Sequence, residues 1–406
     1  MDSLITAAAR DLAKGDPLAA LDRIALRDDA PALALRGIAM AQLGDLLRAK
    51  TLLKRAAQAF SPREIVARAR CVVAEAEIAL AARDLTWPIK TLEAARVALE
   101  AHGDCVNAAQ ARYLQIRRLL LIGRLDEAEM LLAAQYPAFL PPVLRAAHEL
   151  VLVGIAIRRL HAHSAHAALA RAAQAAAQAG IPALAAEVEN AASILASPAA
   201  RLICKGQERS LLLEEVEGVL GSSALVVDAC RYAVRGVGMS VSLAQRPVLF
   251  TLLRTLATAW PGEVSREILV AQAFRLKLTD DSHRARLRVE IGRLRALLKP
   301  LAGVHATPRG FALVALVSTE VIVLAQPVEE KFAGVFALLC DGQAWASSAL
   351  ALALGISQRS VQRALEAMAQ TGRVQSMGRG RGRRWLIPPI PGFATTLLLP
   401  APLPSD

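Results

Sequence analysis

Cysteine is scarce and scattered in this chain: the five, Cys71, Cys105, Cys204, Cys230 and Cys340, lie 34, 99, 26 and 110 positions apart. No pair has the spacing of a zinc knuckle or a redox motif, and an odd, dispersed set fits free thiols in a reducing compartment. Aromatic residues make up only 4% of the chain, which leaves few platforms for stacking single-stranded bases. Long uncharged apolar runs are also missing. Arg158 and Arg159 break the run that starts at Leu150, Glu320 breaks the one around residues 313–325, and prolines fill the uncharged stretch after Trp385. None of these suits a spanning helix. Residues 1–16 carry Asp2, Arg10, Asp11 and Lys14, which denies them the apolar core of a secretory leader. The expectation is a cytoplasmic protein that does not enter a membrane. No nucleophile–base pair, metal-ligand spacing or phosphate loop rises above background, so the chain reads as no enzyme, with no metal or cofactor. The one histidine cluster, His161, His163 and His166, has no Asp, Glu or Cys beside it to complete a ligand set and reads as a solvated turn.

What is present is apolar and helical. The 406 residues are enough for roughly two to four domains, and 54% hydrophobic content excludes disorder throughout. From Ser3 to about Ser197, Ala, Leu and Arg recur with helical periodicity between Gly and Pro breaks, which predicts an all-α half. A turn at Leu43-Gly44-Asp45 recurs at Arg83-Asp84, at Ile122-Gly123-Arg124 and near His161-Ala162, a period of 38 to 40. Gly37, Met40, Ala49, Leu53 and Ala56 fall at the offsets of packing residues in a helical hairpin, where small side chains let two helices approach. This segment resembles a tetratricopeptide hairpin, although Leu33 and Met40 replace the usual Trp and Tyr. The resemblance implies a stack of hairpins with a surface for a peptide, a partner protein or a second copy of the chain.

Charge is distributed unevenly. Residues 1–200 hold 23 Lys and Arg against 20 Asp and Glu, a net of +3, and residues 201–406 hold 25 against 16, a net of +9. Two short segments, 284–309 and 359–384, each carry seven basic residues and one acid. Compact basic clusters of this kind point to nucleic acid.

Around the first cluster the sequence reads as strands at 224–228, 232–235 and 237–243, then a helix over 244–260 and a short helix capped by Ser265. A longer helix follows Asp280-Asp281-Ser282 and runs to Leu298, and a hairpin covers 304–314. In the long helix, Leu287, Ile291, Leu294 and Leu298 form one stripe that must face a core. Ser282, Arg286, Val289 and Arg293 lie opposite, beside small Ala285 and Gly292. An open basic face of this kind can enter a major groove, where Arg suits guanine. Arg284, Arg288 and Arg295 lie on the flank, placed for phosphates or for ion pairs with Glu267 or Glu290. Arg309 sits at the hairpin tip, within reach of a minor groove. The residues Leu243, Leu249, Ser265-Arg266-Glu267, Leu269, Ile291, Arg293-Leu294-Arg295, Thr307 and Gly310-Phe311 resemble the OmpR-type winged-helix DNA-binding domain over about 95 residues. The resemblance implies DNA contacts from Ser282, Arg284, Arg286, Arg288, Val289, Arg293, Thr307 and Arg309. No receiver domain precedes the segment, so phosphorylation control is not implied.

The second cluster follows three predicted helices, 329–339, 346–354 and one from Ser357 to about Gln370, with Gly355 in the turn. Val361, Leu365 and Met368 form the buried stripe of the third helix, and Arg359, Gln362 and Arg363 project from its other side. A strand at 373–376, a basic tip at 378–384 and Trp385-Leu386-Ile387 complete the segment. ALALGISQRSVQRALEAM resembles the helix-turn-helix of bacterial repressors and activators, and with the hairpin it implies a second winged helix. Its candidate DNA contacts are Ser357, Gln358, Arg359, Gln362, Arg363, Arg379, Arg381, Arg383 and Arg384.

The expected fold is mainly α with small β wings. A helical repeat domain over 1–200 is followed by a linker over 201–222, winged-helix domains over 223–318 and 326–388, and a Pro-rich tail over 389–406. The expected function is sequence-specific binding of double-stranded DNA in transcription regulation. The rival is an assembly scaffold whose winged helices dock proteins or bind DNA without sequence preference. Beyond DNA, the expected partners are a protein or peptide on the helical half, RNA polymerase, or a second copy in a homodimer.

Overall fold

A computed structural model describes residues 3–85, 87–135, 140–274, 281–316, 320–326, 332–339, 344–370, 374–378 and 380–386. The protein is mainly helical, with small sheets, and none of its described helices is long and apolar enough to cross a membrane. The chain divides into two compact units: residues 1–158, 164–194 and 331–406 form the first, and residues 159–163 and 195–330 the second.

Among the described residues, the first unit begins with eleven helices: α1 (Ser3–Ala13), α2 (Pro17–Ile24), α3 (Ala30–Gln42), α4 (Leu46–Ala59), α5 (Ile65–Ala81), α6 (Ile89–Ala101), α7 (Cys105–Leu121), α8 (Leu125–Ala133), α9 (Pro142–Arg159), α10 (Ala162–Ala179) and α11 (Pro182–Leu195). Aspartates start several of them. Asp16, Asp29, Asp45 and Asp104 each accept a hydrogen bond from the backbone N–H three residues on, which satisfies a donor that has no partner within the helix. The expected turns recur at Gly44, Arg83, Gly123 and Leu160, each with a left-handed φ between 52° and 88°. The fourth lies just ahead of the expected His161-Ala162. Gly37 is required by close approach, because a β-carbon there would stand 2.8 Å from Leu53 Cγ and 3.3 Å from the carbonyl of Ala49. Buried polar groups are matched across helices: Gln110 Nε2 donates to Glu77 at 3.0 Å, and the Tyr113 hydroxyl meets His148 Nδ1 at 3.0 Å.

The same unit ends with α16 (Ala333–Leu339), α17 (Ser347–Leu354), α18 (Gln358–Gln370) and a hairpin of β10 (Gln375–Met377) and β11 (Arg384–Leu386). Trp345 joins this hairpin through two reciprocal backbone hydrogen bonds with Trp385, each of 2.7 Å. The apolar residues of α16–α18 lie in one continuous cluster with residues of α5, α6 and α7.

The second unit contains β1 (Ala200–Cys204), β2 (Gln207–Leu211), α12 (Leu213–Leu220), β3 (Leu225–Asp228), β4 (Ala233–Gly236), β5 (Met239–Ser242), α13 (Pro247–Thr258), β6 (Glu263–Ser265), α14 (Arg266–Phe274), α15 (Asp281–Leu298), β7 (Ala302–Ala306), β8 (Gly310–Ala315) and β9 (Val321–Ala325). Residues 201–222, expected as a linker, are therefore folded as β1, β2 and α12. A six-stranded sheet runs β2-β1-β9-β3-β4-β5, with β3 and β9 parallel and the other neighbours antiparallel. Its central strands are buried on both faces, which is why Leu225-Val226-Val227 and VIVLA are unbroken apolar runs. Leu225, Val227, Val321 and Val323 face α13–α15, and Val226, Ile322 and Leu324 pack with Val216 of α12. A second sheet, β6-β8-β7, adds Val264, Val304, Phe311 and Leu313 to the same cluster as α13–α15.

Candidate nucleic-acid interface

Helix α15 is amphipathic in the way its sequence requires. Leu287, Ile291, Leu294 and Leu298 are at most 1% exposed, whereas Ser282, Arg284, Arg286, Arg288, Val289 and Arg293 are all exposed. Ala285 and Gly292 leave the outward face low, and a β-carbon at Gly292 would meet nothing within 4 Å. The arginines are held loosely. Arg286 stacks its guanidinium 4.4 Å from the centroid of Phe274, Arg293 bonds Glu290 at 2.8 Å, and Arg284 lies 3.9 Å from Glu267. The Arg284–Glu267 pair is exposed on both sides and contributes only about 0–1 kcal/mol, so a phosphate or a base edge can replace Glu267, whereas the Glu290 side chain that holds Arg293 is only 13% exposed. Arg284 and its neighbour Arg266 help to hold the Glu267 carboxyl below the usual range, though the leading cause is a bond from its own backbone N–H. Beside Arg293 an open groove of about 520 Å³ is lined by Arg246, Pro247, Val248, Leu249 and Glu290.

The β7–β8 hairpin is braced from below. Arg266 donates to the carbonyls of Pro308 at 2.9 Å and Thr307 at 3.0 Å, and Arg295 Nε donates to the carbonyl of Val304 at 2.6 Å. Both guanidiniums also lie within 6 Å of the Phe311 ring centroid. Of the two courses expected for Arg295, the ion pair with Glu267 or Glu290 gives way to a bond to a backbone carbonyl. Thr307 closes the turn, its hydroxyl oxygen accepting from Gly310 N at 2.9 Å. Gly310 has no substitute here: a β-carbon would stand 1.8 Å from the Val264 carbonyl oxygen. The braced turn leaves Arg309 with its side chain 86% exposed, 3.6 Å from Glu263.

In the second basic segment, Gly355 ends α17 in left-handed backbone at φ 63°, and Ser357 Oγ accepts from Ser360 N at 3.1 Å to start α18. Gln358 bonds Ser347 across the turn at 3.1 Å. Val361, Ala364, Leu365 and Met368 are buried, and Arg359, Gln362 and Arg363 are exposed on the opposite side. At the hairpin, exposed Arg383 stacks 4.2 Å from the Trp385 ring centroid, and Arg384 is half-buried. Arg379, the side chain of Arg381 and the tail over 389–406 lie outside the described residues.

Sequence reasoning left Phe274, Arg246 and the bracing role of Arg266 unassigned. Arg266 was visible as part of Ser265-Arg266-Glu267, but its hydrogen bonds reach 41 and 42 positions along the chain. Among the described residues no group of three His, Cys, Asp or Glu could hold a metal ion, and His161, His163 and His166 are exposed. No protein-family model matches the chain, and comparisons with curated proteins and with solved structures return no match.

Proposed function

We propose that the protein is a cytoplasmic transcription regulator that binds specific sites on double-stranded DNA through two winged helices, α13–α15 with the β7–β8 hairpin and α16–α18 with the β10–β11 hairpin. The observation that carries this reading is the outer face of α15, where exposed Arg284, Arg286, Arg288 and Arg293 surround Ala285 and Gly292. Arginine there can offer paired donors to guanine O6 and N7, and the low side chains beside it let the helix settle into a major groove about 12 Å wide. Arg309 on its braced turn and the Arg383–Arg384 hairpin supply contacts to phosphates or a minor groove. Helices α1–α11, resembling a tetratricopeptide stack, serve regulation, self-association or partner binding. Footprinting on fragments of the source genome tests the reading. A bounded protected site is the expected result, and uniform retardation of all fragments would instead favour a scaffold that binds DNA without preference.

A further inference from the structure

The second basic segment spans residues 332–386, and its apolar core is not self-contained. A domain of about 60 residues buries only about 60% of the surface that its unfolded chain exposes and is marginal alone. Here the deficit is met by the N-terminal helices. Val335, Leu339, Trp345, Leu350, Val361 and Leu365 belong to the same buried cluster as residues of α5, α6 and α7. The turn between α5 and α6 is built for this contact. Residues 82–88 join those helices, whereas 43–45 suffice between α3 and α4 and 122–124 between α7 and α8. The added length brings Leu85, 1% exposed, and half-buried Trp87 into the cluster. Arg83, in left-handed backbone, lays its guanidinium 5.4 Å from the ring centroid of Trp345, which is fully buried. The turn is itself anchored, since Arg118 donates to the Leu85 carbonyl at 3.0 Å and Lys50 lies 3.7 Å from Asp84. Meanwhile Arg359, Gln362 and Arg363 stay exposed, so the contact holds α18 without covering its basic face.

We propose that Arg83, Leu85 and Trp87, with α5–α7, form a platform that fixes the second basic module, so that any DNA contact by α18 depends on the N-terminal helices. The dependence of DNA contact rests on the function proposed above; the platform itself does not. The test uses the full chain carrying Arg83→Gly, a residue suited to the left-handed backbone, together with Trp87→Ala. Hydrogen exchange in α17 and α18 is expected to accelerate by on the order of tenfold, with α13–α15 unchanged. The slope of log K against log salt on duplex DNA should fall by roughly 2 to 3 as the second module's phosphate contacts are lost. Arg83→Gly alone, with a smaller acceleration in the same helices, serves if the double variant disturbs α5 and α6. Unchanged exchange in α17 and α18 overturns the platform. Faster exchange with an unchanged salt slope overturns the dependence of DNA contact on it. If the wild-type chain has no affinity for duplex DNA, the proposed function fails, and the exchange comparison still decides the platform.

Discussion

The two basic modules carry similar surfaces on different foundations. The first, α13–α15 with β6–β8, has a core closed within its own unit, in which Leu252, Leu253, Leu256, Leu294 and Leu298 are all fully buried. The second shares its core with helices more than 200 positions earlier in the chain. Order in sequence is therefore a poor guide to which parts fold together. The helices of the first half and the last module form one unit, and the first module belongs to the unit between them in sequence. A fragment beginning near Ala200 would keep the first module's core and remove the second module's support, so it tests only half of the proposed DNA-binding surface.

The largest expected effect is at the shared core. Trp345→Ala should cost about 4 kcal/mol through the cavity it leaves, and calorimetry with hydrogen exchange should confine the loss to the first unit. Equal loss in α13–α15 would erase the distinction between the modules. Next comes Gly310→Ala, whose β-carbon must displace the β6 backbone. A loss of about 3 kcal/mol confined to the second unit is expected, with α5–α7 and α16–α18 keeping their exchange protection.

A third change separates the first unit from the second by its pH dependence. Burial raises the Glu77 carboxyl from 4.5 to about 8, with Arg117 and the bond from Gln110 opposing the shift. The unfolded chain loses this proton near pH 4.5 and the folded chain holds it to about 8, so stability from this group falls as pH rises between those values. Glu77→Gln should thus stabilise the first unit by about 1–3 kcal/mol above pH 8, with an advantage that shrinks towards pH 4.5. Melting curves across that range check it, and a gap that does not vary with pH would contradict it. The smallest effects are expected in recognition. Arg286→Ala or Arg293→Ala should reduce discrimination at one base pair by about 1–3 kcal/mol without changing melting. Equal weakening on specific and scrambled duplexes would reassign the side chain to phosphate.

Much of this architecture is legible in the chain because its strongest signals are local. The stripe Leu287, Ile291, Leu294 and Leu298 specifies the outward face of α15, Gly355 and Ser357 mark the turn before α18, and four recurring turns mark helix pairs. What escaped was long-range pairing. β1 and β2 read as linker because β2 has only Leu211 buried, and β1 is held in the sheet by β9 from 120 positions away. Arg295 had an acid in reach by sequence, yet its Nε bonds the β7 carbonyl of Val304. The shared core was hidden for a similar reason: Trp345 and Arg83 each belong to a separate local pattern, and only the folded chain brings them together.

If both basic surfaces contact duplex DNA, as proposed, the salt dependence of binding by the full chain reports how many phosphates they neutralise. The two modules together offer Arg284, Arg286, Arg288, Arg293, Arg309, Arg359, Arg363, Arg379, Arg381, Arg383 and Arg384, and if about eight of them neutralise phosphates, log K should fall with log salt at a slope of roughly −7. Neutralising Arg379, Arg381, Arg383 and Arg384 together should reduce that slope by about 3 on specific and nonspecific duplexes alike. A slope near zero, or one that the quadruple substitution leaves unchanged, would contradict the account.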